Sequence, residues 1–244
     1  FAALPNGTVL QLPLTPTSRV QIVHNSPDPT VDVYAGNSLL LDNFAFRTAT
    51  PFVDIPADRA ISIGVAPGTS NSVNDVIATF PVNFSSTKAY TVFANGVVGN
   101  PTTPFELAVA DDALEIANPG ETAVSVFHGS PDAPAVDVAE RLAGTLVSNL
   151  AFGEFTTYLN LPSSDYFLDV KPAGSSQILA TYNADLSGLG GVAIRVFAMP
   201  VLANIAIEVP VLKNELIPII EDQLPYASAG FLSRSDKVLK QLKR

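Results

Sequence analysis

The sequence is poor in several residue types on which protein chemistry often depends. Its 244 residues include no cysteine, no tryptophan, one methionine and two histidines. The lack of cysteine excludes disulfide frameworks, cysteine-ligated zinc, iron–sulfur clusters and cysteine nucleophiles. No run of about 18–20 apolar residues is present, so no membrane span is predicted. Because Phe1–Pro5 has no basic n-region and no initiating Met, we expect a mature, processed or trimmed chain.

Charged residues are also scarce, and they are unevenly distributed. They make up 15% of the chain against 47% hydrophobic residues, a balance that predicts a packed core rather than disorder. The net charge of −10 argues against nonspecific nucleic-acid binding. Residues 234–244 nevertheless carry five basic side chains and one acidic one. This basic end is either a solvated tail or an element that docks on an acidic neighbour or an anionic cell-surface polymer.

An internal repeat organises the chain. Val20–Asp28 (VQIVHNSPD) recurs as Val124–Asp132 (VSVFHGSPD). Four further blocks match in the same order: Val31–Val33 with Val136–Val138, Asn43–Phe46 with Asn149–Phe152, Ile55–Pro56 with Leu161–Pro162, and Val92–Ala94 with Val196–Ala198. Five ordered matches are hard to obtain by chance, so the sequence predicts two homologous domains.

The repeat divides the chain into five segments. We predict an N-terminal arm over 1–17, a first domain over 18–113, a short linker over 114–120, a second domain over 121–210, and a basic, partly helical tail over 211–244. The arm is a candidate extra or donor strand, because its apolar residues alternate and proline is tolerated at sheet edges. In the tail, Ser235 is a candidate N-cap for a helix that ends near Leu242.

Each domain has the pattern of β-strands. Ile61–Val65 alternates with period two, and Ala89–Ala94 and Ala193–Ala198 are rich in β-branched and aromatic residues. Turn signals such as Pro67-Gly68 separate these runs. The spacing predicts an all-β protein with two tandem immunoglobulin-like β-sandwich domains and a short C-terminal helical segment.

Each copy opens with a His-x-Ser-Pro-Asp block followed by Val-Asp-Val. The candidate site residues are His24, Ser26, Pro27, Asp28 and Asp32 in the first copy, and His128, Ser130, Pro131, Asp132 and Asp137 in the second. Ser-Pro-Asp is typical of a type I turn. Strand parity points each imidazole toward the apolar side of its strand end, while the aspartates between the valines point the other way.

Two interpretations of this block remain open. In the structural one, each histidine is a buried hydrogen-bond anchor that ties its strand to the following turn or to the nearby aspartate, because a buried polar group needs a partner. In the other, histidine and two carboxylates form a metal or general-base site, although no nucleophile or third ligand is evident. We favour the structural interpretation and expect no catalytic residue, no cofactor and no metal.

Other motifs are few. The sequence contains no His-Glu-x-x-His, no Gly-x-Ser-x-Gly, no EF-hand spacing and no dinucleotide-binding loop. Two triplets fit the glycosylation sequon, which makes Asn6 and Asn83 candidate glycan acceptors in an exporting host.

The repeated blocks resemble the exported bacterial and archaeal family called domain of unknown function 4397. The most specific part is His-x-Ser-Pro-Asp with Val-Asp-Val, at His24–Val33 and His128–Val138. The resemblance implies tandem domains in a secreted or cell-surface protein and brings no established catalytic residues. The second copy departs from the pattern at Ala139–Arg141, where the first has the hairpin signal Tyr34–Gly36.

These features predict a non-enzymatic extracellular or cell-surface protein with a structural or adhesive role. A more specific form is a self-assembling filament subunit, in which the arm or the basic tail engages the next copy head to tail. The alternatives are a glycan- or peptide-binding surface module and, third, an extracellular hydrolase. The expected partners are further copies of the chain or cell-surface polymers, and not nucleic acid.

Overall fold

The structure is a computed structural model that describes residues 1–27 and 29–198, together with Ile217, Leu239 and Lys240. The last three residues are helical. The rest of the predicted tail, including most of the helix expected over Ser235–Leu242, lies outside the described residues. None of the helices that the structure describes is long and apolar enough to cross a membrane.

The N-terminal arm forms a small hairpin. Strand β1 (Ala2–Ala3) pairs antiparallel with β2 (Val9–Leu10), and this sheet contains only these two strands. A hydrogen bond from Gly7 N–H to the Leu4 carbonyl (2.9 Å) closes the turn between them. Among the described residues, this hairpin therefore pairs with neither of the larger sheets of the first copy, and the last residue of the predicted arm, Thr17, is instead the first residue of the next strand.

The first copy folds into eight strands in two four-stranded sheets. These strands are β3 (Thr17–His24), β4 (Val31–Ala35), β5 (Ser38–Phe44), β6 (Val53–Pro56), β7 (Ala60–Pro67), β8 (Ala78–Asn83), β9 (Ala89–Asn95) and β10 (Glu106–Ala110). Their sheet orders are β10-β9-β3-β6 and β5-β4-β7-β8. The pair β3–β9 is parallel, whereas β3–β6, β4–β5, β4–β7 and β7–β8 are antiparallel.

The core of the first copy lies between its two sheets. Val20, Ile55 and Val92 are buried on the sheet that contains β3. Ile61 of β7 and Val82 of β8 pack against this cluster from the other sheet. Alternate residues of each strand thus meet across a shared apolar layer, which is the arrangement of a β-sandwich.

The second copy has seven described strands. They are β11 (Glu121–Phe127), β12 (Val136–Glu140), β13 (Gly144–Leu150), β14 (Leu159–Pro162), β15 (Asp165–Pro172), β16 (Ala180–Asp185) and β17 (Ala193–Phe197). The sheet orders are β14-β11-β17 and β13-β12-β15-β16, and β11 is parallel to β17. Strand for strand this is the order of the first copy, up to the position of β10.

The described residues group into two compact units. One contains residues 1–24, 29–94 and 107–113, and the other contains 25–27, 95–106 and the described residues from 114 onward. Two short segments of the first copy therefore belong to the second unit, which a linear division of the sequence does not anticipate.

The prediction of an all-β protein with β-sandwich domains is confirmed. The strand order differs from that of an immunoglobulin constant domain, in which the first strand lies beside the second. Here the neighbours of the opening strand β3 are β6 and β9. The alternation of apolar residues predicts where strands occur, but it contains no information on which strands pair.

Candidate functional site

Each histidine of the repeated block ties the end of a strand to the far side of the following turn. His24 ends β3 and His128 directly follows β11, and both side chains are buried. Nε2 of His24 lies 3.3 Å from the Pro29 carbonyl, and Nε2 of His128 lies 3.0 Å from the Pro134 carbonyl. Because only a protonated ring nitrogen can donate to a carbonyl, Nε2 carries a proton in each ring.

The second copy fixes the same tautomer by a further contact. The Ser130 N–H donates to Nδ1 of His128 at 3.4 Å, so Nδ1 is the acceptor. The Ser130 hydroxyl donates to Oδ1 of Asp132 at 2.6 Å, and the Ala133 N–H donates to the Ser130 carbonyl, which closes the turn. Pro131, half-buried, occupies the second position of this turn.

In the first copy the corresponding turn is more enclosed. Ser26 and Pro27 are buried, whereas Asp28 lies outside the described residues. The Pro29 carbonyl, which His24 contacts, follows these residues.

The Asn-Phe/Leu-Ala-Phe block forms the apolar wall around each imidazole. The ring of His24 lies 5.5 Å from that of Phe44 and 6.4 Å from that of Phe46. The ring of His128 lies 6.4 Å from that of Phe152. Backbone hydrogen bonds hold this wall in place, since the Arg47 N–H donates to the His24 carbonyl at 2.9 Å.

Asp32 holds the first hairpin in register. Its Oδ1 accepts the Asn43 N–H at 2.8 Å, and its Oδ2 accepts the Ser70 hydroxyl at 2.6 Å. Asn43 has a φ of 52°, and the pairing of β4 with β5 shifts register near Val33. Burial raises the pKa of Asp32, but the hydrogen bonds from Ser70 and Asn43 outweigh burial and lower that pKa overall.

Asp137 makes the same connection in the second copy. Its Oδ1 accepts the Asn149 N–H at 2.7 Å, and its Oδ2 accepts the Gly174 N–H at 2.9 Å. Asn149 has a φ of 50°, close to that of its counterpart in the first copy. These two backbone donors lower the pKa of Asp137. The aspartate of Val-Asp-Val therefore stabilises a bulged hairpin in each copy.

Two threonines complete the repeated network, and the sequence prediction did not include them. The hydroxyl oxygen of Thr50 accepts the Ile22 N–H at 3.0 Å, and that of Thr156 accepts the Val126 N–H at 2.8 Å. Each begins a Thr-x-Phe/Tyr sequence that lies shortly before the matched Ile55-Pro56 or Leu161-Pro162. The repeat itself was the signal that could have identified them.

One position of the block differs between the copies. The two residues at this position contact each other within the second unit, and only one of them has room for a side chain. The x of His-x-Ser-Pro-Asp is Asn25 in the first copy and Gly129 in the second. Asn25 is fully buried, and its Nδ2 donates to the Gly129 carbonyl at 2.8 Å and to Oδ1 of Asn95 at 3.2 Å. A Cβ at Gly129 would lie 2.1 Å from that Nδ2, so only glycine fits.

The second copy also carries a polar and aromatic cluster on its β13-β12-β15-β16 sheet, in which Asp169 is buried and Arg141, Thr181 and Phe167 are exposed. The Arg141 guanidinium donates to both carboxylate oxygens of Asp169, at 2.7 and 3.3 Å, and to the Thr181 hydroxyl at 2.9 Å. Its Cζ lies 5.7 Å from the ring centre of Phe167, which is 47% exposed. The hydrogen bonds from Arg141 and Thr181 hold the pKa of Asp169 below its usual range.

Both candidate glycan acceptors are exposed. The side-chain oxygen of Asn6 accepts the Thr8 N–H at 3.0 Å in the turn of the arm. Asn83 ends β8, directly before the buried Phe84. Each sequon is therefore accessible on the surface.

The polar groups of the repeated block form hydrogen bonds mainly to the backbone, which suits structural anchoring. In the part of the chain that the structure describes, no three histidine, aspartate or glutamate side chains are grouped so that they could hold a metal ion.

Comparison with known proteins identifies a family for this chain. No curated protein matches the chain. A family model described as "Domain of unknown function (DUF4397)" matches residues 18–139, which is half of the chain. The match runs from β3 through the whole first copy to the Val-Asp-Val block of the second. The chain therefore belongs to the DUF4397 family.

Proposed function

We propose that this protein is a non-enzymatic structural or adhesive protein of the cell surface that assembles with further copies of itself through its N-terminal arm. The observation that carries the proposal is the exposure of the arm. Phe1, Val9 and Leu14 are 84%, 63% and 95% exposed, and Leu10 and Leu12 are also exposed. Such a concentration of exposed apolar side chains is typical of an interaction segment.

The conformation of the arm supports an assembly role. A hairpin of two two-residue strands is marginally stable, so it opens at little cost. Residues 1–18 contain no charged side chain, and Val9 and Leu10 are already extended. An extended apolar segment can add to the edge of a sheet in another molecule, where main-chain hydrogen bonds provide affinity.

Support for a surface location comes from composition and from the repeated anchors. The low lysine content, with abundant Thr, Ser, Asn, Val and Pro, is typical of exported β-rich proteins. The hydrogen-bonded histidines and aspartates stabilise each copy without disulfide bonds. Fractionation of the native host tests the location, and recovery from the cell interior alone would contradict it.

The assembly is tested by light scattering and electron microscopy of the full chain. We expect its mean mass to rise with concentration, and we expect deletion of residues 1–14 to leave a monomer. Leu10→Ser with Leu12→Ser should weaken assembly, whereas Gln11→Ser, a polar substitution on the same segment, should not. A full chain that stays monomeric, or an arm deletion that assembles equally well, would contradict the proposal.

The Arg141 cluster favours a second candidate function, the binding of glycans or peptides. The half-exposed ring of Phe167 lies beside an ordered guanidinium, which offers a stacking surface next to hydrogen-bonding groups. Glycan-array and peptide-array screening tests this candidate. Binding that Phe167→Ala abolishes would support it, and the absence of any binding would exclude it.

A further inference from the structure

We propose that the outer edge of β16 is the acceptor for the N-terminal arm of a second copy of this chain. This inference rests on the proposed function, because it names the surface to which the assembling arm binds. It follows from comparing the edges of the two matching sheets, β5-β4-β7-β8 and β13-β12-β15-β16. Three of their four edge strands carry a feature that hinders strand addition.

Strands β5 and β13 are hindered by their bulges. The pairing of β4 with β5 shifts register on both sides of Val33, and that of β12 with β13 shifts on both sides of Val138. A bulge bends and twists an edge, which interrupts the regular row of donors and acceptors that another strand would need.

The other two edges differ at the position that decides whether a strand can be added. Strand β8 (ATFPVN) contains Pro81, whereas β16 (ATYNAD) has Asn183 at the equivalent place. The registers establish the equivalence: Pro81 pairs with Ser62 of β7, and Asn183 pairs with Phe167 of β15. Proline on an edge strand blocks strand addition because it has no N–H to donate.

Pro81 also shows which way the backbone of Asn183 faces. Since proline has no N–H, Pro81 of β8 donates no hydrogen bond to β7, and Ser62 and Pro81 form a pair that is not joined by hydrogen bonds. In the matching ladder, the Asn183 N–H points away from β15, toward the edge on which no described strand pairs. The period of two places the backbone groups of Thr181 and Asp185 on that side as well. The edge of β16 thus presents the backbone N–H and C=O groups of three residues to an added strand.

The surface around this edge matches the arm in chemistry. Strand β16 pairs with β15 over six consecutive residues without a register shift, so its edge is regular. Its only charged residue is Asp185 at the end, and Tyr182 is 59% exposed. Together with the exposed ring of Phe167, this gives apolar surface on both faces of the edge for the leucines of the arm.

The test uses a fluorescent peptide of residues 1–14 and the chain that lacks these residues. We expect saturable binding by fluorescence anisotropy. Asn183→Pro should weaken binding at least tenfold, because it reproduces the protected edge of β8. The matched control Asn183→Ala, which keeps the N–H, should bind as the parent does. Circular dichroism checks folding, and Asn183→Lys provides a second variant, because charge also protects an edge.

The outcomes separate this inference from the proposed function. If Asn183→Pro and Asn183→Lys bind the peptide as tightly as Asn183→Ala, the acceptor assignment is overturned. If, in addition, the full chain with Asn183→Pro assembles normally while the arm deletion does not, the proposed function stands and only the acceptor is wrong. A full chain that never assembles contradicts the proposed function, and the peptide titration still decides whether the β16 edge binds the arm.

Discussion

Replacement of Asp32 by alanine is expected to destabilise the first copy strongly. The carboxylate is 1% exposed and accepts hydrogen bonds of 2.8 Å from the Asn43 N–H and 2.6 Å from the Ser70 hydroxyl. Each hydrogen bond to a charged group contributes about 1.5–3 kcal/mol, so Asp32→Ala should lower the free energy of unfolding by about 3–5 kcal/mol. A loss of about 3 kcal/mol corresponds to a fall in Tm of about 12–24 °C for a domain of 60–100 residues.

A graded series makes the test more specific. Asp32→Asn keeps one acceptor oxygen for the Asn43 N–H, and its amide can donate to the Ser70 hydroxyl after that hydroxyl rotates. We expect about half the loss, roughly 1.5–2.5 kcal/mol. The matched control is Asp54→Ala, which removes an exposed carboxylate whose ion pair with Arg19 spans 3.8 Å. Such a pair contributes about 0–1 kcal/mol. The measurement is urea unfolding of the full chain, followed by circular dichroism.

The dependence on pH gives an independent check. The pKa of Asp32 is lowered in the folded protein, so its ionised form contributes stability above the unfolded pKa of about 3.9. This contribution is lost as the pH falls through the folded pKa. The deficit of Asp32→Ala should therefore be complete at neutral pH and shrink in acid below about pH 4. A deficit below about 1 kcal/mol, or one that persists unchanged in acid, would refute the anchoring role.

Three further outcomes are expected. His128→Ala should lower the free energy of unfolding by about 1–3 kcal/mol in urea titrations; unchanged stability together with loss of a bound metal, measured by calorimetry, would instead favour a metal site. Gly129→Ala should lower the Tm because of the clash with Nδ2 of Asn25, and the double variant with Asn25→Ala should recover part of the loss in calorimetric scans. Arg141→Ala should raise the pKa of Asp169, followed by NMR titration of its carboxyl carbon; an unchanged pKa would contradict the pairing.

The sequence predicted the local elements of this fold better than their connections. The alternation in Ile61–Val65 and the β-branched and aromatic residues of Ala89–Ala94 predict strands that the structure contains, because both signals lie within the strand itself. The parallel pairing of β3 with β9 joins residues about 70 positions apart, and no local pattern specifies it. The same limit explains why the sequence predicted β-sandwich domains of immunoglobulin-like size but not the order of their strands.

In the candidate site, too, the residues were predicted from the sequence but their distant partners were not. The two histidines and the aspartates of Val-Asp-Val were identified from the repeat, since a repeated polar residue among apolar ones stands out. The partner of Asp32 was not identifiable, because Ser70 is 38 residues away in the loop after β7, and the corresponding loop of the second copy offers the Gly174 N–H in place of a hydroxyl. The Arg141 cluster was also missed, because it depends on a contact between the tip of the β12–β13 hairpin and Asp169 of β15, which is 28 residues further along the chain.

The aspartate anchors make the tips of two hairpins tolerant of insertion. The turn between β4 and β5 has two residues, Gly36 and Asn37, whereas that between β12 and β13 has three, Arg141 to Ala143. At the base of both hairpins, however, the backbone N–H of an asparagine donates to the aspartate of Val-Asp-Val. Register is thus set at the base of each hairpin, and the tip can change length without moving the strands. These tips are accordingly the places where an epitope or a short binding loop can be inserted while the sandwich is kept.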